Sequence, residues 1–269
     1  MPLVEELYGA ITQALRRGEQ VALATVVRVT GSTPREPGAQ MLVYDDGRTL
    51  GSVGGGSLEA QVVSDAQAAL ATGQPALHAY SLHAEEPAAL GACGGRMEVF
   101  VHVLRPTETA LIVGAGHVAQ PLARLASVAG FRVLVVDDRE EFLAAGRFPE
   151  AETRLVSFAD LAAGVPLHRG TYAVIVTRSH QHDEQVLRQL LDKPLAYLGV
   201  IGSRRKVQGM FARLREQGFS AEQLARVRAP IGLDIGAQTP AEIALSVAAE
   251  LVQVRRGGSG RPLSEVIDR

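Results

Sequence analysis

Residues 110–119 read Ala-Leu-Ile-Val-Gly-Ala-Gly-His-Val-Ala. The apolar run 110–113 predicts a buried strand, and the segment 118–129 that follows the glycines predicts a helix. Between these two elements, Gly114 permits a tight turn and Gly116 lets a phosphate approach the backbone closely. A glycine turn that joins a strand to a helix is typical of the first unit of a dinucleotide-type, Rossmann-like fold.

The acidic residue expected in such a unit is also present. Asp137 follows about 20 residues later, at the end of the next predicted strand, where a ribose-binding carboxylate belongs. Ala119 replaces the third glycine of the fingerprint. Because the same glycines are needed merely to pack a helix on a strand, two interpretations stay open: a bound dinucleotide or related phosphate, and a domain that keeps the shape without the nucleotide.

The rest of the carboxyl-terminal half continues this pattern of apolar strands alternating with helices, which predicts a parallel sheet covered on both faces. Two capping boxes, Ser220 to Gln223 and Thr239 to Glu242, mark helix starts, and the second opens a long last helix that we expect to dock on the sheet. The predicted strands are 110–113, 132–136, 172–177 and 196–201, and the predicted helices include 118–129, 183–191 and 204–217.

The first hundred residues mix short strands and helices and predict a smaller α+β domain. We expect this domain at residues 1–105 and the Rossmann-like domain at 108–269, with the seam at Arg105-Pro106-Thr107. The fold class is therefore α/β. The elements predicted in the first domain are helices at 1–17 and 57–71 and strands at 21–29, 76–82 and 97–104.

Composition narrows the function classes. The 269 residues carry a net charge of −2, which gives no field that would attract nucleic acid or an anionic membrane. No apolar run approaches the roughly 18 residues of a spanning helix, and the start carries Glu5 and Glu6 where a secretion signal would be basic. We therefore expect a cytoplasmic protein. A single cysteine, Cys93, excludes an internal disulfide and a zinc site of several thiolates.

Two glycine-rich loops in the first domain are candidates for anion binding. The loop 30–38 reads Thr-Gly-Ser-Thr-Pro-Arg-Glu-Pro-Gly, and the loop 51–59 reads Gly-Ser-Val-Gly-Gly-Gly-Ser-Leu-Glu just before a predicted helix. Backbone amides of such a loop and the helix amino end suit an anion, and Arg35 can add a charge-assisted contact. The alternative is two tight turns with an ordinary cap at Ser57.

Cys93 lies in the sequence Gly91-Ala-Cys-Gly-Gly95, which enters a predicted strand. A lone cysteine is by default an inert core sulfur. However, surrounding glycines allow close approach of a bulky ligand, and a thiolate is a soft donor suited to a metal or to sulfur chemistry. We therefore interpret Cys93 as a functional thiol.

Two polar segments follow neighbouring strands of the predicted parallel sheet. The segment 179–183, Ser-His-Gln-His-Asp, includes His180 and could bind a metal or move protons, although Asp183 could also simply cap the next helix. The segment 202–206, Gly-Ser-Arg-Arg-Lys, offers an anion a helix amino end and three cations, or forms a solvated basic turn. Both lie at the carboxyl edge, where open α/β folds bind ligands.

Taken together, these motifs resemble the XdhC/CoxI family, the xanthine dehydrogenase accessory proteins. The resemblance rests on Gly-Ser-Thr-Pro-Arg (31–35), Gly-Gly-Gly-Ser-Leu-Glu (54–59), the Cys-Gly-Gly loop (93–95), and three motifs of the second domain. Those three are Gly-Ala-Gly-His (114–117), Gly-Val-Ile-Gly-Ser-Arg-Arg-Lys (199–206) and Pro-Ile-Gly-Leu-Asp-Ile-Gly (230–236). The similarity spans about residues 21–254, and the joint occurrence is far more specific than any single motif.

This resemblance implies a molybdenum-cofactor chaperone without turnover of its own. Such a protein holds the molybdopterin-type cofactor transiently, protects it while a cysteine desulfurase supplies the terminal sulfido ligand, and delivers it to a molybdenum hydroxylase apoenzyme. The resemblance also implies a homodimer. Cys93 is the candidate metal contact, and the candidate cofactor-binding residues are Arg35, Gly54, Gly55, Gly56, Ser57, Cys93, Gly94, Gly114, Gly116, His117, Asp137, His180, Ser203 and Arg204.

Two other classes remain as alternatives. The first is an NAD(P)-dependent oxidoreductase that uses Gly114, Gly116 and Asp137, with His180 as the proton donor. The glycine-rich first domain argues against it, because a dehydrogenase needs a substrate domain placed over the nicotinamide. The second is a thiol enzyme that pairs Cys93 with a histidine, for which the sequence has no local signature.

Overall fold

The structure is a computed structural model that describes residues 4–82 and 94–266. The chain forms two compact units, Met1–Pro106 and Thr107–Arg269, which meet in sequence within the Arg105-Pro106-Thr107 segment. Within the described ranges, no helix combines the length and the apolar character that crossing a bilayer requires.

The first unit is built on an antiparallel sheet of five strands in the order β3-β2-β1-β5-β4. Helix α2 covers one face, where alternate strand residues such as Ala24, Met41 and Val99 are buried with its own Leu58 and Val62. Helix α1 covers part of the opposite face. In chain order, the elements are α1 (Val4–Arg16), β1 (Val21–Thr30), β2 (Gln40–Tyr44), β3 (Thr49–Gly51), α2 (Gly56–Thr72), β4 (Ala76–Ser81) and β5 (Arg96–Leu104).

The second unit is built on a parallel sheet of six strands. Its elements are β6 (Thr109–Val113), α3 (Ala119–Val128), β7 (Arg132–Asp137), a 3₁₀ turn (Glu140–Leu143), β8 (Glu152–Leu155), α4 (Leu161–Gly164), β9 (Thr171–Ile175), α5 (His180–Leu190), β10 (Tyr197–Val200), α6 (Arg204–Glu216), α7 (Ala221–Ala225), β11 (Val227–Arg228), α8 (Pro240–Arg256) and a 3₁₀ turn (Leu263–Glu265).

The strands of this second sheet lie in the order β8-β7-β6-β9-β10-β11. Counted along the chain this is 3-2-1-4-5-6, the order of the Rossmann fold. Side chains of α3 and α8 fill the apolar cluster on one face, and those of α4, α5 and α6 fill the cluster on the other. The predicted fold class is therefore confirmed: an α/β chain in which a Rossmann-like domain follows a smaller α+β domain in sequence.

Most predicted elements are present, with ends that differ by a few residues. Both capping boxes form, and the last helix buries Val247 and Leu251 against the sheet as predicted. Helix α5 begins three residues before the predicted start, because the Ser179 hydroxyl, and not Asp183, caps it by accepting from the His182 amide. The sequence analysis did not predict four short strands, namely β2, β3, β8 and β11.

The turn after β6 depends on the absence of a side chain at Gly114. Its φ is +107°, and a Cβ there would lie 2.5 Å from the Val176 carbonyl oxygen, just beyond the end of β9. At Gly116, in contrast, an added Cβ would have no atom within 4 Å. The two glycines of the fingerprint therefore differ in kind, because only the first is required by packing and backbone conformation.

This difference predicts unequal effects of alanine at the two positions. Gly114→Ala combines a strained φ with a collision against backbone and should lower the free energy of unfolding by roughly 2–4 kcal/mol. Gly116→Ala is the matched control and should stay within about 1 kcal/mol of the wild type. Urea unfolding followed by circular dichroism measures both, and equal losses would contradict this account of the turn.

Candidate functional site

The glycine-rich segments of the first unit come together in space. A Cβ on Gly31 would lie 3.1 Å from the Gly94 carbonyl oxygen, and one on Gly95 would lie 2.3 Å from the Ser32 carbonyl oxygen. A Cβ on Gly54 would lie 3.3 Å from Cγ of Pro34. Loop 31–38 thus packs backbone to backbone on residues 94–95, and its Pro34 side chain lies against Gly54 of loop 52–57. We call these three segments the glycine-loop cluster.

Arg35 joins the two longer loops of this cluster. Its Nη2 donates to the Ser52 hydroxyl over 3.3 Å, and that hydroxyl donates to Glu59 Oε1 over 2.6 Å. The Gly54 amide lies 3.3 Å from the same Glu59 oxygen. The Nε of Arg35 is buried and has no hydrogen-bond partner among the described residues. Since an unsatisfied buried donor of a charged group is costly, this guanidinium has capacity left for an anion.

The cluster also contains the amino end of α2, a 17-residue helix. Its cap is Gly55, and neither Gly55 nor Gly56 would bring an added Cβ within 4 Å of another atom. At Gly56 a φ of +58° accounts for the glycine, but Gly55 has an extended φ of 173° that any residue adopts. Neither the surroundings among residues 4–82 and 94–266 nor the backbone conformation requires a glycine at position 55, and a helix amino end without side chains leaves room for a ligand to approach.

The remaining predicted residues of this unit are Ser57, Gly94 and Cys93. Ser57 lies exposed in the first turn of α2. Gly94 is exposed, with a φ of +73°, and its amide donates to the Leu82 carbonyl over 2.9 Å. Cys93 lies outside the described residues, and so the predicted metal contact stays a prediction. Within residues 4–82 and 94–266, no three histidine, cysteine, aspartate or glutamate side chains converge in a way that would hold a metal ion.

In the second unit, the glycine turn is tied to the next strand by Asp137. The Asp137 side chain is 1% exposed. Its Oδ2 accepts from the Ala115 amide over 2.8 Å and from Arg139 Nη2 over 3.1 Å, and its Oδ1 accepts from Arg139 N and Nε over 3.1 and 2.9 Å. Four donors match the roughly four lone-pair sites of a carboxylate. A ribose hydroxyl would therefore have to displace one of these donors.

Of the other predicted residues in this turn, His117 is exposed and Gly116 is half-buried. The main support for an oxidoreductase was the combination of this turn with a carboxylate that is available to a ribose. Because the Asp137 carboxylate is already saturated by protein donors, the geometry does not favour that alternative.

A cavity of about 250 Å³ lies at the carboxyl edge of the sheet, above the ends of β9 and β10. It brings together the two polar segments that the sequence analysis placed at this edge. Its walls are formed by the amino ends of α5 and α6, and its lining residues are Thr177, Arg178, Ser179, His180, Asp183, Val200, Ile201, Gly202, Lys206, Val207 and Met210.

Asp183 is the buried acid of this cavity, with 6% of its surface exposed. Its Oδ1 accepts from the Thr177 amide over 3.1 Å and from the Thr177 hydroxyl over 2.6 Å. Burial raises the pKa of Asp183 to about 6, and this effect outweighs the Thr177 hydrogen bonds and the charges of His180 and Lys206, which lower it. The carboxyl group therefore changes its charge close to neutral pH.

The predicted residues near this edge have different surroundings. His180 is exposed and lines the cavity, whereas His182 is held by the Ser179 hydroxyl, 2.7 Å from Nδ1. Ser203 caps α6 by accepting from the Lys206 amide, and Arg204 is an exposed residue in the first turn of that helix.

The sequence analysis did not include Asp183 or Lys206 among the binding residues, although both lie in motifs that it singled out. Asp183 looked like a helix cap, and Lys206 looked like one of three equivalent cations. The signal available was helical spacing. Because Ser179 caps α5 and the helix begins at His180, Asp183 lies one turn inside the helix and faces the sheet rather than solvent.

The 3-2-1-4-5-6 parallel sheet with a glycine turn after its first strand defines the second unit as a Rossmann-type domain, which follows a small antiparallel domain with a glycine-loop cluster. Residues 110–251 match the XdhC Rossmann domain, and residues 14–81 match the XdhC and CoxI family. The chain belongs to the XdhC and CoxI family, which confirms the resemblance identified from its motifs.

Several known proteins are similar to this chain over most of its length. The chain is 39% identical to the uncharacterized protein YqeB of Escherichia coli K12 over 93% of its own length, but it spans only 47% of YqeB. It is 27% identical to the molybdenum cofactor insertion chaperone PaoD of the same organism, over 90% of this chain and 86% of PaoD. A crystal structure named xanthine dehydrogenase from Bacillus halodurans shares the fold, with a TM-score of 0.52, 24% identity, and coverage of 96% of this chain and 99% of that chain.

The raised pKa of Asp183 predicts a specific dependence of stability on pH. Since the folded pKa lies above the unfolded value, the folded state loses stability as pH rises from about 4 through 6. Asp183→Asn removes this loss. The free energy of unfolding of the variant, taken relative to that of the wild type, should therefore be about 3 kcal/mol higher above pH 7 than at pH 4. Urea unfolding at each pH measures the difference. The exposed Asp160→Asn is the control, and parallel curves for wild type and Asp183→Asn would contradict the burial effect.

Proposed function

We propose that this protein is a molybdenum-cofactor chaperone. It holds the molybdopterin-type cofactor as cargo, protects it while a cysteine desulfurase supplies the sulfido ligand, and delivers it to a molybdenum hydroxylase apoenzyme such as a xanthine or aldehyde dehydrogenase. Membership of the XdhC and CoxI family supports the proposal, as does the similarity to PaoD, a relative named for molybdenum cofactor insertion.

The observation that carries the proposal is the position of Arg35 beside the amino end of α2. The cofactor carries a phosphate, and the glycine-loop cluster offers this group a helix amino end, backbone without side chains at Gly55 and Gly56, and a guanidinium whose Nε has no partner in the part of the chain that the structure describes. The donor set therefore fits the phosphate. Gly54 and Ser57 complete the binding loop in this proposal.

The soft metal–sulfur centre calls for a different kind of contact. Cys93 directly precedes Gly94, whose backbone packs on Gly31 of the cluster, and it is the chain's one thiol. A thiolate is a soft donor that suits molybdenum. In this proposal Cys93 contacts the metal, and the cargo is released intact because the chain itself catalyses no turnover.

The second unit carries the remaining residues that we propose as cofactor-binding. Gly116 and His117 present an open backbone and an exposed imidazole at the turn after β6, and His180, Ser203 and Arg204 surround the helix amino ends at the same sheet edge. Gly114 and Asp137 act through the chain, by setting the shape of that turn. The homodimer that the family resemblance implies is part of the proposal and is testable by light scattering.

Blocking the amino end of α2 should abolish cofactor retention without unfolding the protein. Gly55→Leu places a side chain into open space on an extended backbone, so we expect little change in stability. The side chain occupies the volume in which the phosphate would lie. We expect molybdenum and pterin content, measured after anaerobic purification from cells that make the cofactor, to fall at least tenfold.

Arg35→Ala removes the charge and should also lower retention, by about tenfold, since a charge-assisted contact contributes roughly 1.5–3 kcal/mol. The matched control is Arg28→Ala, because Arg28 lies on β1, is 72% exposed and pairs only loosely with Glu98, over 3.4 Å. Wild-type protein that carries neither molybdenum nor pterin under these conditions would overturn the proposed function. Unchanged molybdenum and pterin content in both Gly55→Leu and Arg35→Ala would overturn the placement of the phosphate.

A further inference from the structure

The cavity at the ends of β9 and β10 has a distribution of polar groups that a simple anion site would not need. Two helix amino ends and Lys206 favour negative charge or a carbonyl oxygen. Directly among them, however, lies the carboxyl group of Asp183, which would repel an anion whenever it is ionised. The cavity therefore suits a neutral ligand that presents hydrogen-bond donors and an acceptor side by side.

The hydrogen bonds of Asp183 define which of its atoms meets such a ligand. Both described contacts, from the amide and the hydroxyl of Thr177, fall on Oδ1 and use its two lone pairs. Oδ2 is the oxygen left to accept from a ligand. Because Thr177 fixes the carboxyl plane through two donors, Oδ2 is held in one direction rather than rotating freely.

The floor of the cavity is apolar. Val200, Ile201, Val207 and Met210 form it, and a methionine thioether packs favourably against a flat ring. The volume of about 250 Å³ lies just below the roughly 300–1,000 Å³ of sites for drug-sized ligands. This size accommodates one ring system but not a complete dinucleotide.

We infer that this cavity binds the fused 2-amino-4-oxopyrimidine ring that pterins and guanine share. The amino and ring N–H groups of that edge donate to Asp183 Oδ2, the neighbouring ring carbonyl accepts from Lys206, and the ring face rests on the apolar floor. A pterin as the source of the ring rests on the proposed function, whereas guanine would be a second ligand independent of it.

Asp183→Asn tests the inference because it changes the hydrogen-bonding group that faces the cavity and leaves the shape of the side chain nearly the same. The Thr177 amide can only donate, so it keeps the asparagine carbonyl on the Oδ1 side and turns the NH₂ group toward the cavity. The variant thus preserves shape and the Thr177 contact while it replaces the acceptor by a donor. Two donors then face each other, and we expect binding of the ring to weaken at least tenfold.

The experiment titrates the full chain with neopterin and, separately, with guanosine, by isothermal calorimetry at pH 7.5. We expect saturable binding of at least one compound, at least tenfold weaker in Asp183→Asn, several-fold weaker in Lys206→Met, and unchanged in Asp160→Asn. Neopterin binding identifies the pterin source, and guanosine binding alone identifies the guanine source.

Absence of binding by both compounds, or equal affinity in Asp183→Asn and wild type, would overturn the inference. Neither result bears on the proposed function, because that is decided by the molybdenum and pterin that copurify with the protein. Conversely, wild-type protein without copurifying cofactor that still binds guanosine through Asp183 would remove the proposed function and leave this site in place.

Discussion

The carboxylate of Asp137 fixes the turn on which the second unit is organised. It accepts hydrogen bonds from the Ala115 amide and from the Arg139 guanidinium, so the turn after β6 is tied to the end of β7. On the other side, Gly114 lies against the Val176 carbonyl beyond β9. The turn is therefore held from both neighbouring strands. A residue type that elsewhere contacts a ribose here supports the protein's own backbone.

How much of this fold could be predicted depends on whether the signal is local. Apolar strands and capped helices of the second unit follow from runs of β-branched residues and from hydroxyl–carboxylate or hydroxyl–amide pairs three residues apart, and both capping boxes form. Two of the strands that escaped prediction are very short. Strand β11 has two residues and β3 has three, so they exist because a neighbouring strand offers hydrogen bonds and not because of their own sequence.

The candidate sites also differ in whether a local sequence signal was enough to predict them. Glycine density alone was enough to indicate loops 30–38 and 51–59. In the structure, Arg35 of the first loop donates to Ser52 of the second and so joins them. The environment of Asp183 was predictable only in part: helical spacing places it on the sheet side of α5, but the strands and the second helix that complete the cavity around it come from other parts of the chain. The sequence could not distinguish Gly55, which packing does not require, from Gly54, whose Cβ would lie 2.7 Å from Leu58 Cδ2. That distinction needs coordinates because it concerns the space around a backbone.

The two sites differ in electrostatic character, and this difference decides which chemical groups of a ligand each site favours. In the glycine-loop cluster, Arg35 and the amino end of α2 supply positive potential, and the Glu59 carboxylate is occupied by Ser52 and Gly54. An anion is therefore favoured there. In the β9–β10 cavity, a buried carboxyl group offsets the helix ends, so a phosphate would meet a like charge whenever Asp183 is ionised. A neutral ring with donor groups avoids that repulsion, and so the cavity chemistry selects the heterocycle rather than its phosphate.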